Sequence, residues 1–341
     1  MARTDGRGRA AAVGALTGLA LGDALGMPTQ NRPRAWILAR YGKALDDLHP
    51  GPDENEISRG LPAGRVTDDT DQAVIVGSLF AAGDGSVDPP ALASALLDWE
   101  DRMRSAGSLD LLGPSTRRAL AAISAGVPAE EAGRTGDTNG AAMRIAPIGV
   151  GVPVEPLDRL VDAVEDASRA THHTGIAIAG AAAVAAAVSA GVAGWGMAES
   201  LDAAVAAARL GAERGHYVAG ADVAARITWA RDLVDSAGEP LDAVAGLVGT
   251  GLATQESVPA ALAVAALFPD SVWDATRHAA ALGGDTDTIA AMAGAVVGAH
   301  TGLGAVPPRI LGRLHAANPG LALTTLADRL LALRDRRAAR T

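Results

Sequence analysis

The feature that most limits what this chain can fold into is a long run without a single charge, residues 176–198, made mostly of alanine and glycine. A run of that length could cross a bilayer. Alanine and glycine contribute little transfer free energy, however, and a helix apolar on every side also fits the centre of a large helical core. The whole composition points the same way: 49% of residues are hydrophobic but only 3% aromatic, so the interior must be built from Ala, Val, Leu and Ile. Small core residues suit helices that approach one another closely.

Helical periodicity dominates the rest of the chain. It predicts helices over residues 10–25, 71–82, 89–104, 114–125, 157–170, 175–193, 198–212, 219–235, 240–249, 257–268, 271–282, 287–300, 307–315 and 322–338. Few runs alternate β-branched and polar residues, which makes an all-α fold the expectation. Breakers such as Pro89-Pro90, Pro269-Asp270 and Pro307-Pro308 punctuate helices, and no linker of disordered composition appears. A single domain over residues 1–341 is therefore expected, with its motifs inside residues 10–302. The longest predicted loop covers residues 46–64, and loops of that length often form lids or substrate-binding walls.

Several function classes are excluded by composition. Cysteine is absent, which removes thiolate nucleophiles, disulfides and cysteine-ligated zinc or iron. Lys43 is the only lysine and lies in a polar stretch, which argues against Schiff-base catalysis. A net charge of −10 and a pI near 5.1 argue against a general nucleic-acid surface. The arginines near the C-terminus, among them Arg334, Arg336 and Arg337, read as the solvated end of a last helix. Arg3, Arg7 and Arg9 ahead of residues 10–21 imitate a signal peptide, but Asp5, the alanine- and glycine-rich core and the lack of a clean cleavage site favour a cytoplasmic protein with no membrane partner.

Two short strings carry the chemistry: Thr67-Asp68-Asp69-Thr70-Asp71 and Gly283-Gly284-Asp285-Thr286-Asp287-Thr288. Carboxylates packed this closely repel one another unless a proton or a cation neutralises them, and oxygen-only ligands suit Mg²⁺, Mn²⁺ or Ca²⁺ rather than zinc. Positions i and i+2 lie roughly 200° apart around a helix, so such residues can face one ion only at a helix beginning. Pro62-Ala63-Gly64 and Gly283-Gly284 place both strings at loop-to-helix junctions. Asp and Thr are also ordinary helix caps. One string alone reads best as a cap, whereas the repetition of the signature favours two halves of one metal site.

Together with Gly22-Asp23-Ala24-Leu25-Gly26, the loop Gly136-Asp137-Thr138-Asn139-Gly140-Ala141-Ala142-Met143-Arg144 and Thr171-His172, these strings make the chain resemble the ADP-ribosylglycohydrolase family. The motifs occur in family order. The resemblance implies an all-helical hydrolase with a central cleft holding two Mg²⁺ ions, or Mn²⁺, that releases ADP-ribose or a smaller ribosyl group from a protein or small-molecule acceptor. It makes Thr67, Asp68, Asp69, Asp285, Asp287 and Thr288 the metal ligands, with Asp69 and Asp285 also catalytic. It further implies that Asp23, Gly136, Thr138, Asn139, Gly140, Met143, Arg144 and His172 contact substrate. On their own residues 136–144 would read as an ordinary glycine-containing loop, and His172 as a satisfied buried histidine.

One departure stands out. Members of the family it resembles usually carry a glutamate a few residues beyond the first motif, and Gln30 occupies that place here. An amide cannot accept a proton at neutral pH, so Gln30 can only position water or a sugar hydroxyl, and the base must be another carboxylate. Asp110 is a candidate, unless it caps the helix that begins at Pro114. Three functions compete: a metal-dependent hydrolase of ADP-ribosyl or smaller N-ribosyl compounds, a non-catalytic ADP-ribose reader, and a structural protein that reuses the fold. The intact metal strings favour the first.

Overall fold

The computed structural model describes residues 6–109 and 112–339, and among these it contains seventeen α-helices, one π-helical turn and three isolated β-bridges. The fold is all-α. Its centre is helix Gly175–Val192, in which every residue after Gly175 is buried. That helix meets the length-and-composition test for a membrane span while 94% of it is buried inside the protein. Helices Leu157–His172, Met197–Ala212, Thr254–Leu267 and Thr286–Thr301 pack around it. The alanine-rich run is thus the hub of the core.

The close approach expected of small residues is clearest between helices Gly6–Gly26 and Thr286–Thr301, which run antiparallel. A Cβ placed on Gly14 would lie 2.2 Å from the Gly298 carbonyl oxygen, on Gly18 2.2 Å from that of Gly294, and on Gly22 2.0 Å from that of Ala290. On Gly26 it would lie 2.4 Å from the Asp287 Cα. Glycine at every fourth position lines one face of a helix, and here it lets two backbones touch. The seam ends at both acidic strings, with Gly26 against Asp287 of the second and Asp23 bonded to Thr67 and Thr70 of the first.

Most predicted helices occur, with ends displaced by a few residues. The segment predicted over 219–235 begins only at Val223, capped by Asp222, whose side chain accepts from the Ala225 amide. The one predicted over 240–249 is a short α-turn, Pro240–Ala243, continued by a π-turn, Val244–Val248. Three helices were not expected: Arg34–Tyr41, Ala129–Ala132 and Ala146–Gly151. All are eight residues or fewer, over which a 3.6-residue period is a weak signal, whereas the equally short Val272–Ala279 lies inside the longer periodic run predicted over 271–282.

Candidate functional site

The first string opens helix Asp68–Ala82, with Thr67 as the N-cap residue accepting from the Asp69 amide. Asp23 reinforces that start. Its carboxylate, fully buried, accepts from the Thr67 amide at 3.0 Å and the Thr70 amide at 3.1 Å, and from the Thr70 hydroxyl. Burial nevertheless pushes the Asp23 carboxyl up to about 6, against the lowering effect of those hydrogen bonds. Asp23 is therefore occupied in holding the helix start and is absent from the cleft lining, a different task from the expected substrate contact. Asp71 turns to the other side of the helix, where Arg65 and the Trp99 indole bind it.

The second string begins with Gly283 and Gly284 at φ +89° and +72°, a left-handed backbone that glycine adopts without strain. Gly284 bonds to Asn31 and Arg32 in both directions, which ties the turn carrying Gln30 to this string. Asp285 is the N-cap of helix Thr286–Thr301 but makes no side-chain cap bond. Its carboxylate instead accepts from the Asn139 amide, which also donates to Ser257 at 3.1 Å. The capping alternative thus holds for Thr67 and fails for Asp285.

The seam and these turns bring both strings to one cleft of about 370 Å³. Asp68, Asp69, Asp285, Asp287 and Thr288 line it together with Gln30, Thr138, Asn139, Gly140 and Met143. Thr67, Gly136, Arg144 and His172 stand behind that lining. Gly136 packs on the Thr171 carbonyl, where a Cβ would lie 2.1 Å from the oxygen. Arg144 is 1% exposed and donates to Gln72 and Thr171, and burial pushes its guanidinium down to about 10. His172 is fully buried, and burial, followed by the charges of Arg144 and Arg118, holds it well below the usual histidine range. Arg144 and His172, like Asp23, are supports rather than walls. Asp110 lies outside the described residues.

Sequence reasoning missed part of the wall. Leu109, Leu112 and Leu252 form an apolar side, and Arg117, in the first turn of helix Pro114–Ser124, is the one cation on the lining among the described residues. The helix start at Pro114 is legible in the sequence; its direction toward the cleft is not. From the predicted loop over residues 46–64, Ile57 reaches the lining and Asn55 holds the Gln30 carbonyl at 2.8 Å.

Electrostatics decide what such a cleft can hold. Burial, then the charges of Asp68, Asp287, Asp23 and Asp285, push the Asp69 carboxyl well above the usual carboxylate range. Asp285 is raised by burial as well, with the Asn139 bond opposing. Among the described residues no three Asp, Glu or His side chains already stand as a complete ligand group. The fit to a cation rests on the donors themselves: buried oxygens from both strings and an Asp69 Oδ1 that is buried with no hydrogen-bond partner. Crowded carboxylates with an orphaned oxygen suit a hard divalent ion.

An all-helical fold with an acidic cleft built at two helix beginnings defines the class, and comparison with known proteins gives it a family. The ADP-ribosylglycohydrolase model matches residues 4–340, and the chain belongs to that family. By that membership it is a hydrolase of the glycosidic kind. Protein YegU of Escherichia coli strain K12, itself uncharacterised, is 38% identical over 312 residues, 90% of this chain and 92% of that protein. ADP-ribosylhydrolase ARH3 of Danio rerio is 35% identical over 92 residues, 24% of this chain and 25% of its own length. A solved structure described as an ADP-ribosylglycohydrolase-related protein complex superposes with a TM-score of 0.67 at 26% identity, covering 96% of this chain and 99% of that one.

Proposed function

We propose that the chain is a metal-dependent hydrolase that cleaves the N- or O-glycosidic bond of an ADP-ribosyl compound, with Asp68, Asp69, Asp285, Asp287, Thr67 and Thr288 holding two Mg²⁺ or Mn²⁺ ions. The observation that carries this reading is the buried Asp69 carboxyl, raised by burial and then by its acidic neighbours and left with an unbonded Oδ1, in a residue of a cleft lining that holds no lysine or histidine among the described residues. The ions, when bound, supply the positive charge that lets these carboxylates ionise together and polarise water and ribose hydroxyls.

The chain's own residues do the rest. Thr67 and Thr288 hydroxyls hold Asp69 Oδ2 at 3.5 and 3.3 Å, which fixes the carboxylate plane, and Asn139 fixes Asp285. Water adds to the anomeric carbon as the bond to the acceptor breaks, through an oxocarbenium-like state. A carboxylate of the two strings takes the water's proton and a proton passes to the departing acceptor, which leaves with the bonding pair; Gln30, on the lining, can orient a hydroxyl but cannot hold a proton at neutral pH. Thr138, Asn139 and Gly140 with Arg117 form the part of the wall suited to the diphosphate, and the leucines form the part suited to an uncharged group. Gln30 also leaves room for a second reading, a reader that binds ADP-ribose without turnover.

The test is a hydrolysis screen with Mg²⁺ and with EDTA on ADP-ribosyl-arginine, ADP-ribosyl-serine, ADP-ribose 1″-phosphate and simple nucleosides. Mg²⁺-dependent release of ADP-ribose is expected. Full activity in EDTA would refute the metal role, turnover of nucleosides alone would favour a small N-riboside, and binding without turnover would favour the reader.

A further inference from the structure

A chain of buried side chains outside the cleft lining connects the first metal string to the ligand loop. Gln72, Arg144, Thr171 and His172 are each 1% exposed or less. Their bonds run in sequence: Gln72 Nε2 to Asp68 Oδ2 at 2.6 Å, Arg144 Nη1 to Gln72 Oε1 at 2.7 Å, Arg144 Nη2 to Thr171 Oγ1 at 2.6 Å, Thr171 Oγ1 to His172 Nδ1 at 2.8 Å, and His172 Nε2 to Thr138 Oγ1 at 3.1 Å. Asp68 and Thr138 are both on the cleft lining.

Chemistry fixes the direction of every bond. A guanidinium only donates and a carboxylate only accepts, so Gln72 must turn its oxygen to Arg144 and its amide nitrogen to Asp68. Thr171 accepts from Arg144, and among the described hydrogen bonds its own hydrogen has one acceptor, His172 Nδ1. The opposite tautomer would strand that hydrogen in a site with no water access, which buried polar groups avoid. A neutral imidazole that accepts at Nδ1 carries its proton on Nε2 and donates it to Thr138. The ring fills the space that a side chain at Gly140 would take, where a Cβ would lie 2.8 Å from Cε1 and 2.9 Å from Nε2. Thr138 Oγ1 then has its hydrogen left for the cleft.

We infer that Arg144 is a positioning residue for both halves of the site, sending donors through Gln72 to Asp68 and through Thr171 and His172 to Thr138, whose hydroxyl is thereby set as a donor to an acceptor-only oxygen of the ligand. A phosphoryl oxygen is such a group, whereas a ribose hydroxyl would be indifferent to the polarity. Hydrogen bonds in a chain polarise one another, so the buried charge is felt at Thr138 without touching the ligand. The identity of the ligand rests on the functional reading above; the polarity of the chain does not.

Two measurements on the full chain in Mg²⁺ test this. Nitrogen NMR of imidazole-labelled protein should show His172 as the Nε2–H tautomer, and an Nδ1–H tautomer would overturn the relay. Calorimetry should show ADP-ribose binding about tenfold weaker in Thr171→Val, the size of one lost polarised hydrogen bond, with wild-type affinity restored by Thr171→Ser and with ribose binding equal in all three. Wild-type ADP-ribose affinity in a folded Thr171→Val would also overturn it. Failure of the wild-type protein to bind ADP-ribose would instead refute the functional reading, and the relay would still be decided by the tautomer.

Discussion

Replacing Gly22 by alanine tests the idea that the glycine seam sets both stability and site geometry. The new Cβ would lie 2.0 Å from the Ala290 oxygen, 2.3 Å from its carbonyl carbon and 2.7 Å from the Ala291 nitrogen, all backbone atoms that cannot rotate aside. The helices must separate, and overpacking of a core costs about 1–3 kcal/mol. A contact this short belongs at the upper end, offset by about 1 kcal/mol from the better helix propensity of alanine. The net loss is about 2 kcal/mol. Unfolding entropy of about 2.1 cal/mol/K per residue gives roughly 0.7 kcal/mol/K for the 341-residue chain, so the melting temperature should fall by about 3 °C. Gly312→Ala is the control: Gly312 lies in helix Pro308–Ala317 with nothing within 4 Å of the new Cβ, so propensity alone should raise stability by about 1 kcal/mol. Because the seam ends against Asp287, Gly22→Ala should also weaken Mg²⁺ binding, while Gly312→Ala leaves it unchanged. Calorimetric melting of both variants, with Mg²⁺ titrations, measures all of this. A Gly22→Ala protein as stable as wild type, with undiminished Mg²⁺ affinity, would refute the argument.

Asp69→Asn should make the protein more stable than wild type in EDTA and less stable in Mg²⁺, as read by urea denaturation. The sign follows from the raised Asp69 carboxyl: its destabilisation is absent below the unfolded carboxylate range, near pH 4, and grows as pH rises through the higher folded value, so the gain in EDTA must be larger at pH 8 than at pH 5. A gain that shrinks with rising pH would count against the buried-charge account. Gln30→Glu puts another carboxylate on a lining that already carries Asp69 and Asp287 and should slow turnover and weaken Mg²⁺ binding. A rise of about 100-fold or more, the usual contribution of a positioned base, would show that the native chain lacks one and acts as a reader.

What the sequence determined by itself is local. A charge-free run rich in alanine, the best helix former, with no polar face calls for a buried helix, so helix Gly175–Val192 and its central place were both readable. Both acidic strings had to sit at helix beginnings because of the angle between positions i and i+2, and they do. Arg34–Tyr41, Ala129–Ala132 and Ala146–Gly151 span about two turns or less and left only a weak mark, whereas Val272–Ala279, also eight residues, was readable because it lies inside the longer periodic run over 271–282.

Only the tertiary structure decided which side chains are walls and which are supports. Asp23, Arg144 and His172 carry functional groups as suitable for a ligand as those of Thr138 or Asn139, but helix packing turned the first three inward, onto Thr70, Gln72 and Thr171. The same packing set Asn139 against Asp285, 146 positions away, and turned the start of helix Pro114–Ser124 toward the cleft with Arg117 on it. Residue type and spacing act over a turn or two of chain, whereas the partner of a side chain depends on which helix faces meet, and those faces are chosen by the fit of the whole core.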